Sequence, residues 1–434
     1  MNYEKSNQLR EKAHKLIPGG AHTYAKGDDQ FPELAPGFMV QGKGCHIWDA
    51  DGNEFIEYGM GLRSVSLGHA YPEVIAAVTK QLQLGNNFGR PSTLEIECAE
   101  ALQSVVGGEM IKFAKNGSDA TSAAIKLARG YTGREMIAIC GDQPFFSTDD
   151  WFIGSTPMNA GIPEVIRNLT VSFRYNDSEN LEQLFLAHPG KIACLIMEAE
   201  TTLAPKVGYL QKVQKLCAQH GVIFILDEMI TGFRWHLGGA QKVYGITPDL
   251  STFGKAMANG FAWAALVGRR DLMELGGLAT KQEKVFLLST THGAESVGLA
   301  AAMATMKVYA EQNVIGYLEK MGTVLCRGIE EIISKLGLED YFSILGHPAN
   351  LIYATRDLEK NLSQGFRTLF MQETLKGGLL LPSFVLSYSH SEKEIEKTLA
   401  VMREVLPIYK KALEDGVDKY LVGRPVKPVF RKFN

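Results

Sequence analysis

The stretch VIFILDEMITGFR, residues 222–234, sets five apolar residues against an acidic pair, Asp227-Glu228. A short apolar run with a polar close reads as a strand buried on both faces, and its carboxyl end is where an α/β sheet collects ligands. Four further runs repeat the form: MIAIC (136–140), IACLIM (192–197), LSTF (250–253) and WAALVG (263–268). Helix-like segments lie between them. After Asn116-Gly117-Ser118, the residues Ala120, Ala123, Ala124, Leu127 and Ala128 recur at helical spacing, with Ser118 placed to cap the start and Gly130 to end it. The alternation predicts an α/β fold, a large, mainly parallel sheet with helices on both faces.

The flanks differ. Residues 1–60 carry Pro18-Gly19-Gly20, a loop to Pro36, and HIWDADGNEFIEY, in which Asp51-Gly52 signals a hairpin. Towards the other end ANLIYA (349–354) reads as a strand. A last helix opens on a capping box, Ser391 with Glu394, followed by Ile395, Leu399, Met402 and Leu406. The expected organisation is a large domain over 61–310 and a smaller α+β domain built from 1–60 and 311–434. With 434 residues, 45% of them hydrophobic, the chain can bury a large core. Net charge is -3, from 45 basic and 48 acidic residues without long blocks, which argues against nucleic-acid and membrane-surface partners and for small-molecule chemistry. The polar start MNYEKSNQLREKAHKL has no apolar signal region, and no stretch approaches the roughly 18 apolar residues of a membrane span, so a cytoplasmic location is expected. Six scattered cysteines show neither C-x-x-C spacing nor nearby histidine pairs; they read as reduced thiols, with no metal site.

The chemistry should sit where the apolar runs end. IACLIM closes on Glu198, VIFIL on Asp227-Glu228, and LSTFG leads into Lys255 among Gly254, Ala256, Ala258 and Gly260. An acid after a strand also serves as an ordinary helix cap, so no one of these decides the matter. KNGSDATSAAIKLARG adds a glycine turn opening a helix, whose N–H groups and dipole suit a phosphate although it is neither a Walker nor a G-x-G-x-x-G motif. Phosphate cradle, strand-end acid and a lysine among small residues together match the needs of pyridoxal phosphate. The lysine forms the Schiff base, the carboxylate keeps the pyridine nitrogen protonated, and the helix start holds the phosphate.

ILDEMITGFR (225–234) followed by PDLSTFGKAMANG (248–260) resembles the core signature of the class III pyridoxal-phosphate aminotransferases, enzymes of fold type I. Within that family IPGG, WDADGNEFIEY, GHAYPEV and TGFR are similar to the glutamate-1-semialdehyde aminomutases. The resemblance implies Lys255 as the Schiff-base lysine, Asp227 as the pyridine partner and Gly117 and Ser118 as phosphate contacts. It makes Glu198 the acid of an E-P motif whose proline is here Ala199. In STTHGAE (289–295) it implies Thr290 as a phosphate contact given to a partner subunit, hence a homodimer. The substrate region departs from the aminomutases. Their Ser-Pro-Val-Arg is Thr23-Tyr24-Ala25-Lys26, and lysine lacks the planar fork that grips a carboxylate. The ring-stacking tyrosine is replaced by a segment containing QPFFSTDDWF, with Phe145 or Phe146 as the substitute, and Arg63 is gained. With His22, Tyr24, Lys26 and Arg63 as substrate contacts, the chain is similar to a branch that aminates keto-sugars for lipopolysaccharide, of the 8-amino-3,8-dideoxy-manno-octulosonate transaminase type. An amino-acid donor, glutamate, and a keto acceptor are then implied. An aminomutase and, from another class, a non-catalytic phospholigand-binding protein are the competing readings.

Overall fold

A hairpin forms where Asp51-Gly52 marks it. β1 (Met39–Lys43) runs antiparallel to β2 (His46–Asp49), and β2 to β3 (Glu54–Glu57). Asp49 fixes the turn: its carboxylate accepts the N–H groups of Asp51 at 3.0 Å and Asn53 at 2.8 Å, while Gly52 supplies the φ of +86°. The structure, a computed structural model, describes residues 1–433. It divides into two compact units, one of residues 1–71 with the chain from Gly316 onward, the other Pro72–Ile315.

The larger unit holds β4 (Met110–Ala114), β5 (Met136–Cys140), β6 (Thr170–Phe173), β7 (Ile192–Glu198), β8 (Ile223–Asp227), β9 (Leu250–Gly254) and β10 (Ala264–Gly268). They form one α/β sheet in the order β4-β10-β9-β8-β7-β5-β6. All pairings from β9 to β6 are parallel, whereas β10 is antiparallel to both β9 and β4. Length explains the exception. The 255–263 connection is shorter than the dozen or so residues a parallel crossover needs, so β10 must return beside β9 in the opposite sense. Every residue of β7, β8, β9 and β10 is buried, as a sheet covered on both faces requires. β4 was hidden in the sequence by Lys112, which an edge strand tolerates.

The helix after Asn116 differs from expectation at both ends. It spans Gly117–Thr132, and Asn116 rather than Ser118 caps it, accepting the Asp119 N–H at 2.9 Å. Gly130 lies inside the helix, which stops at Gly133 with φ +66°. A β-carbon on Gly130 would stand 2.5 Å from Val285 Cγ2, so that glycine makes room for packing.

The smaller unit is completed by the C-terminal chain. β11 (Phe342–Leu345) and β12 (Ile352–Thr355) pair antiparallel, and β13 (Leu379–Leu380) adds parallel to β3. The start of ANLIYA forms a short turn, Pro348–Asn350, ahead of β12. The final helix, Glu392–Asp415, has its capping box, with the Ser391 N–H donating to Glu394 at 2.9 Å. Among the described residues no helix is long and apolar enough to cross a membrane, and all six cysteines are free thiols.

Candidate active site

Sheet register lines up the polar groups at the carboxyl edge. Glu198 on β7 is paired with Asp227 on β8, and Asp227 with Thr252 on β9, so their side chains project from one face. Asp227 is buried; its carboxylate accepts the Met229 N–H at 2.9 Å and the Thr252 hydroxyl at 3.2 Å. Burial raises this carboxyl above its ordinary range, and the charge of Lys255 opposes the shift. The two groups therefore feel each other.

Lys255 follows β9 directly and has a φ of +48°, left-handed backbone that costs a non-glycine residue roughly 1–2 kcal/mol. Its surroundings impose it. A β-carbon on Gly254 would meet Met229 Sδ at 2.7 Å and the Trp263 carbonyl at 3.3 Å. Ala256, Met257 and Ala258 are fully buried, and their turn packs against the helix Ser296–Glu311. The small neighbours of Lys255 thus let this turn pack closely. Met229 Sδ also lies 3.0 Å from where a β-carbon on Gly117 would be. One side chain therefore spans from the strand end before Lys255 to the start of the 117–132 helix.

At that start Asn116 takes the Asp119 N–H, which leaves the N–H groups of Gly117 and Ser118 at the positive end of the helix dipole. Ser118 Oγ accepts the Thr148 N–H at 3.0 Å, so its own hydrogen remains to be donated. The QPFFSTDDWF segment is anchored here. Gln143 holds the Glu198 backbone through two 2.8 Å hydrogen bonds, and the Thr121 hydroxyl donates to the Phe146 carbonyl at 2.9 Å. Both phenylalanines meet Phe152 edge-on, but Phe146 is 2% exposed and Phe145 43%, so Phe146 is core and Phe145 is the ring with a free face.

Glu228 is a cap. Its carboxylate accepts the N–H groups of Ala240 at 2.8 Å and Gln241 at 2.7 Å and the Thr231 hydroxyl, and burial pushes it up to about 7. Arg234 is completely buried in the same unit. Thr290 is exposed, on the chain leading to Glu295, which caps the 296–311 helix by accepting the Gly298 N–H at 3.0 Å. His22, Tyr24, Lys26 and Arg63 belong to the smaller unit. The first three are exposed around the turn Tyr24–Lys26, while the Arg63 Nε donates to Asn350 at 2.8 Å. Sequence reasoning missed Thr252, Met229 and Gln143. Thr252 had a signal, since period-two alternation along LSTFG sets it on the face of Gly254.

The chain matches the family described as Aminotransferase class-III over residues 24–340. It belongs to that family. It is thus a pyridoxal-phosphate-dependent aminotransferase by family, with the fold type I architecture. Among curated relatives it is 33% identical to a glutamate-1-semialdehyde 2,1-aminomutase of Sulfurihydrogenibium azorense, across 94% of this chain and 100% of that one. Among solved structures it resembles the FumI protein of Sphingopyxis sp. MTA144 in its PLP internal aldimine form, with TM-score 0.85 and 27% identity over 97% of this chain and 98% of that one. An omega-transaminase from Sphaerobacter thermophilus aligns with TM-score 0.84 and 25% identity over 94% and 100%.

Proposed function

We propose that this class III enzyme moves an amino group from an amino acid, glutamate, to a keto-sugar acid, with 8-oxo-3,8-dideoxy-manno-octulosonate of lipopolysaccharide assembly as the type acceptor. The Asp227–Lys255 pair at the carboxyl edge of the sheet, beside the start of the 117–132 helix, carries the reading. The residues fit pyridoxal phosphate. Asp227 is buried with Lys255 as the cation acting on it, and a second cation such as a protonated pyridine nitrogen would offset more of its burial cost, while the helix start offers N–H groups and a hydroxyl to a phosphate. Lys255 would hold the aldehyde, Asp227 the ring nitrogen, Gly117 and Ser118 the phosphate, with Phe145 and Glu198 beside the ring.

When bound, the cofactor supplies an electron sink that lets the α-carbon of an amino acid lose a proton. Lys255 Nζ takes that proton as general base and returns it as general acid. Asp227, fixed by the Met229 N–H and Thr252, keeps its charge on the ring nitrogen. Exposed Thr290 supports a homodimer in which each subunit completes its neighbour's phosphate site. A cytoplasmic location is part of the reading. The acceptor rests on Lys26, Arg63, His22 and Tyr24, where the sequence leaves the aminomutase pattern.

Glutamate with an oxo-sugar acid should give 2-oxoglutarate in step with aminated sugar. Conversion of glutamate 1-semialdehyde with no added donor would instead establish the aminomutase, the second reading, which the 33% identical relative's name favours. Borohydride should fix the cofactor on Lys255, and Lys255→Ala should lose that label and all turnover while keeping its melting temperature. A wild-type protein that takes no label would be the non-catalytic phospholigand binder.

A further inference from the structure

At the amino edge of the larger unit's sheet, opposite the edge that carries Asp227, lies a cavity of about 300 Å³, at the small end of small-molecule sites. Ser251 of β9 lines it, and Gly254, which ends that strand before Lys255, is roughly 10 Å further along. The floor is apolar and buried, formed by Val106, Ile246 and Val267. Gln241 ties it together: its side-chain amide donates to the Val106 carbonyl at 2.9 Å and accepts the Ser251 hydroxyl at 2.9 Å. Two charges stand at the rim. Lys242, on the helix Ala240–Tyr244, has its stem laid across Gly238, where a β-carbon would meet its Cγ at 2.6 Å. Its amine is carried over Gly107, 3.8 Å from where a β-carbon there would be. Glu109 comes from the chain entering β4, and its Oε2 accepts the Arg270 N–H at 2.7 Å.

The third charge of the lining, Arg269, is already matched by Asp249 and Asp271. Lys242 and Glu109 have no ion-pair partner among the described residues, and they do not pair with each other. An apolar floor with one cation and one anion on its rim is complementary to a zwitterion that carries a short hydrocarbon side chain. We propose that this cavity binds a small apolar amino acid, with its carboxylate on Lys242 and its ammonium on Glu109 Oε1, at a site separate from the one around Lys255. The two charge-assisted contacts fix the ligand's orientation, and the volume limits its side chain to a few carbons. The site does not depend on which acceptor the enzyme aminates.

Calorimetric titration of the holoenzyme with proline, cyclopentanecarboxylate and pyrrolidine separates the two charges on a ring of one size. Proline is a secondary amine, without the primary amino group that a transaminase exchanges. It should bind at least about tenfold more tightly than either of the others and leave the visible absorbance of the cofactor unchanged. Lys242→Gln should reduce proline to the level of pyrrolidine, and Glu109→Gln to the level of cyclopentanecarboxylate. Unchanged melting temperature and cofactor absorbance show that the variants are folded. Equal affinities for the three compounds, no binding of any of them, or a Lys242→Gln protein that binds proline like wild type would overturn the proposal. So would proline binding that shifts the cofactor band or that disappears in the Lys255→Ala protein, since either places the ligand in the active site.

Discussion

Lys255 takes a left-handed conformation because Gly254 beneath it is pinned by Met229 and the residues after it are buried against a helix. The strain is the price of aiming one amine at a fixed place. Asp227 is equally constrained, with a backbone N–H and the Thr252 hydroxyl on its carboxylate. If Asp227 stabilises positive charge on the ring nitrogen, Asp227→Ala should slow turnover by roughly a thousandfold, ~4 kcal/mol in the barrier, with cofactor retained but weakly. Kinetics of the donor half-reaction with glutamate measure this, and a loss confined to KM would contradict it. Asp227 was legible because it closes the apolar run VIFIL, and Lys255 because it follows the short strand-like LSTFG among small residues. Phe145 and Phe146 were not separable, since two adjacent aromatics differ only in which of them the fold buries.

At the scale of elements, helix propensity and packing pull apart at Gly130. Alanine is favoured over glycine by about 1 kcal/mol in a helix, but a β-carbon here would press Val285 at 2.5 Å. Overpacking of this kind typically costs about 1–3 kcal/mol, so Gly130→Ala should lower the melting temperature. A rise would show that Val285 moves aside freely. The helix Ala240–Tyr244 depends on Glu228, whose carboxyl burial pushes up to about 7 against an ordinary value of 4.5. The folded state therefore holds a proton that the unfolded chain has already released. The stability from this raised value is complete below about 4.5 and is lost as pH rises through about 7. Glu228→Gln does not titrate. It should be less stable than wild type at pH 4.5, and the gap should narrow by on the order of 3 kcal/mol by pH 7, read from denaturant melts across that range. A gap independent of pH would mean that Glu228 is ionised throughout.

At the scale of the whole molecule the proposed site takes residues from two chains. Thr290 is exposed in the single chain, and its proposed role is in a neighbour's phosphate cradle. Thr290→Ala should then release cofactor about tenfold more readily, the usual worth of a hydrogen bond to a charged group, as followed by visible absorbance during dialysis. Retention equal to wild type would remove Thr290 from the site. The sequence alone determined the strands β5, β7, β8, β9 and β10 and set Asp227 and Lys255 at the ends of two of them, because a strand buried on both faces is written as a mostly apolar run and its polar close is local. Tertiary structure decided the rest: the antiparallel return of β10, the row of Glu198, Asp227 and Thr252, the bridge of Met229 between two glycines, and the cap made by Glu228. Each depends on register or contact between segments far apart in the chain, which hydrophobic periodicity does not encode.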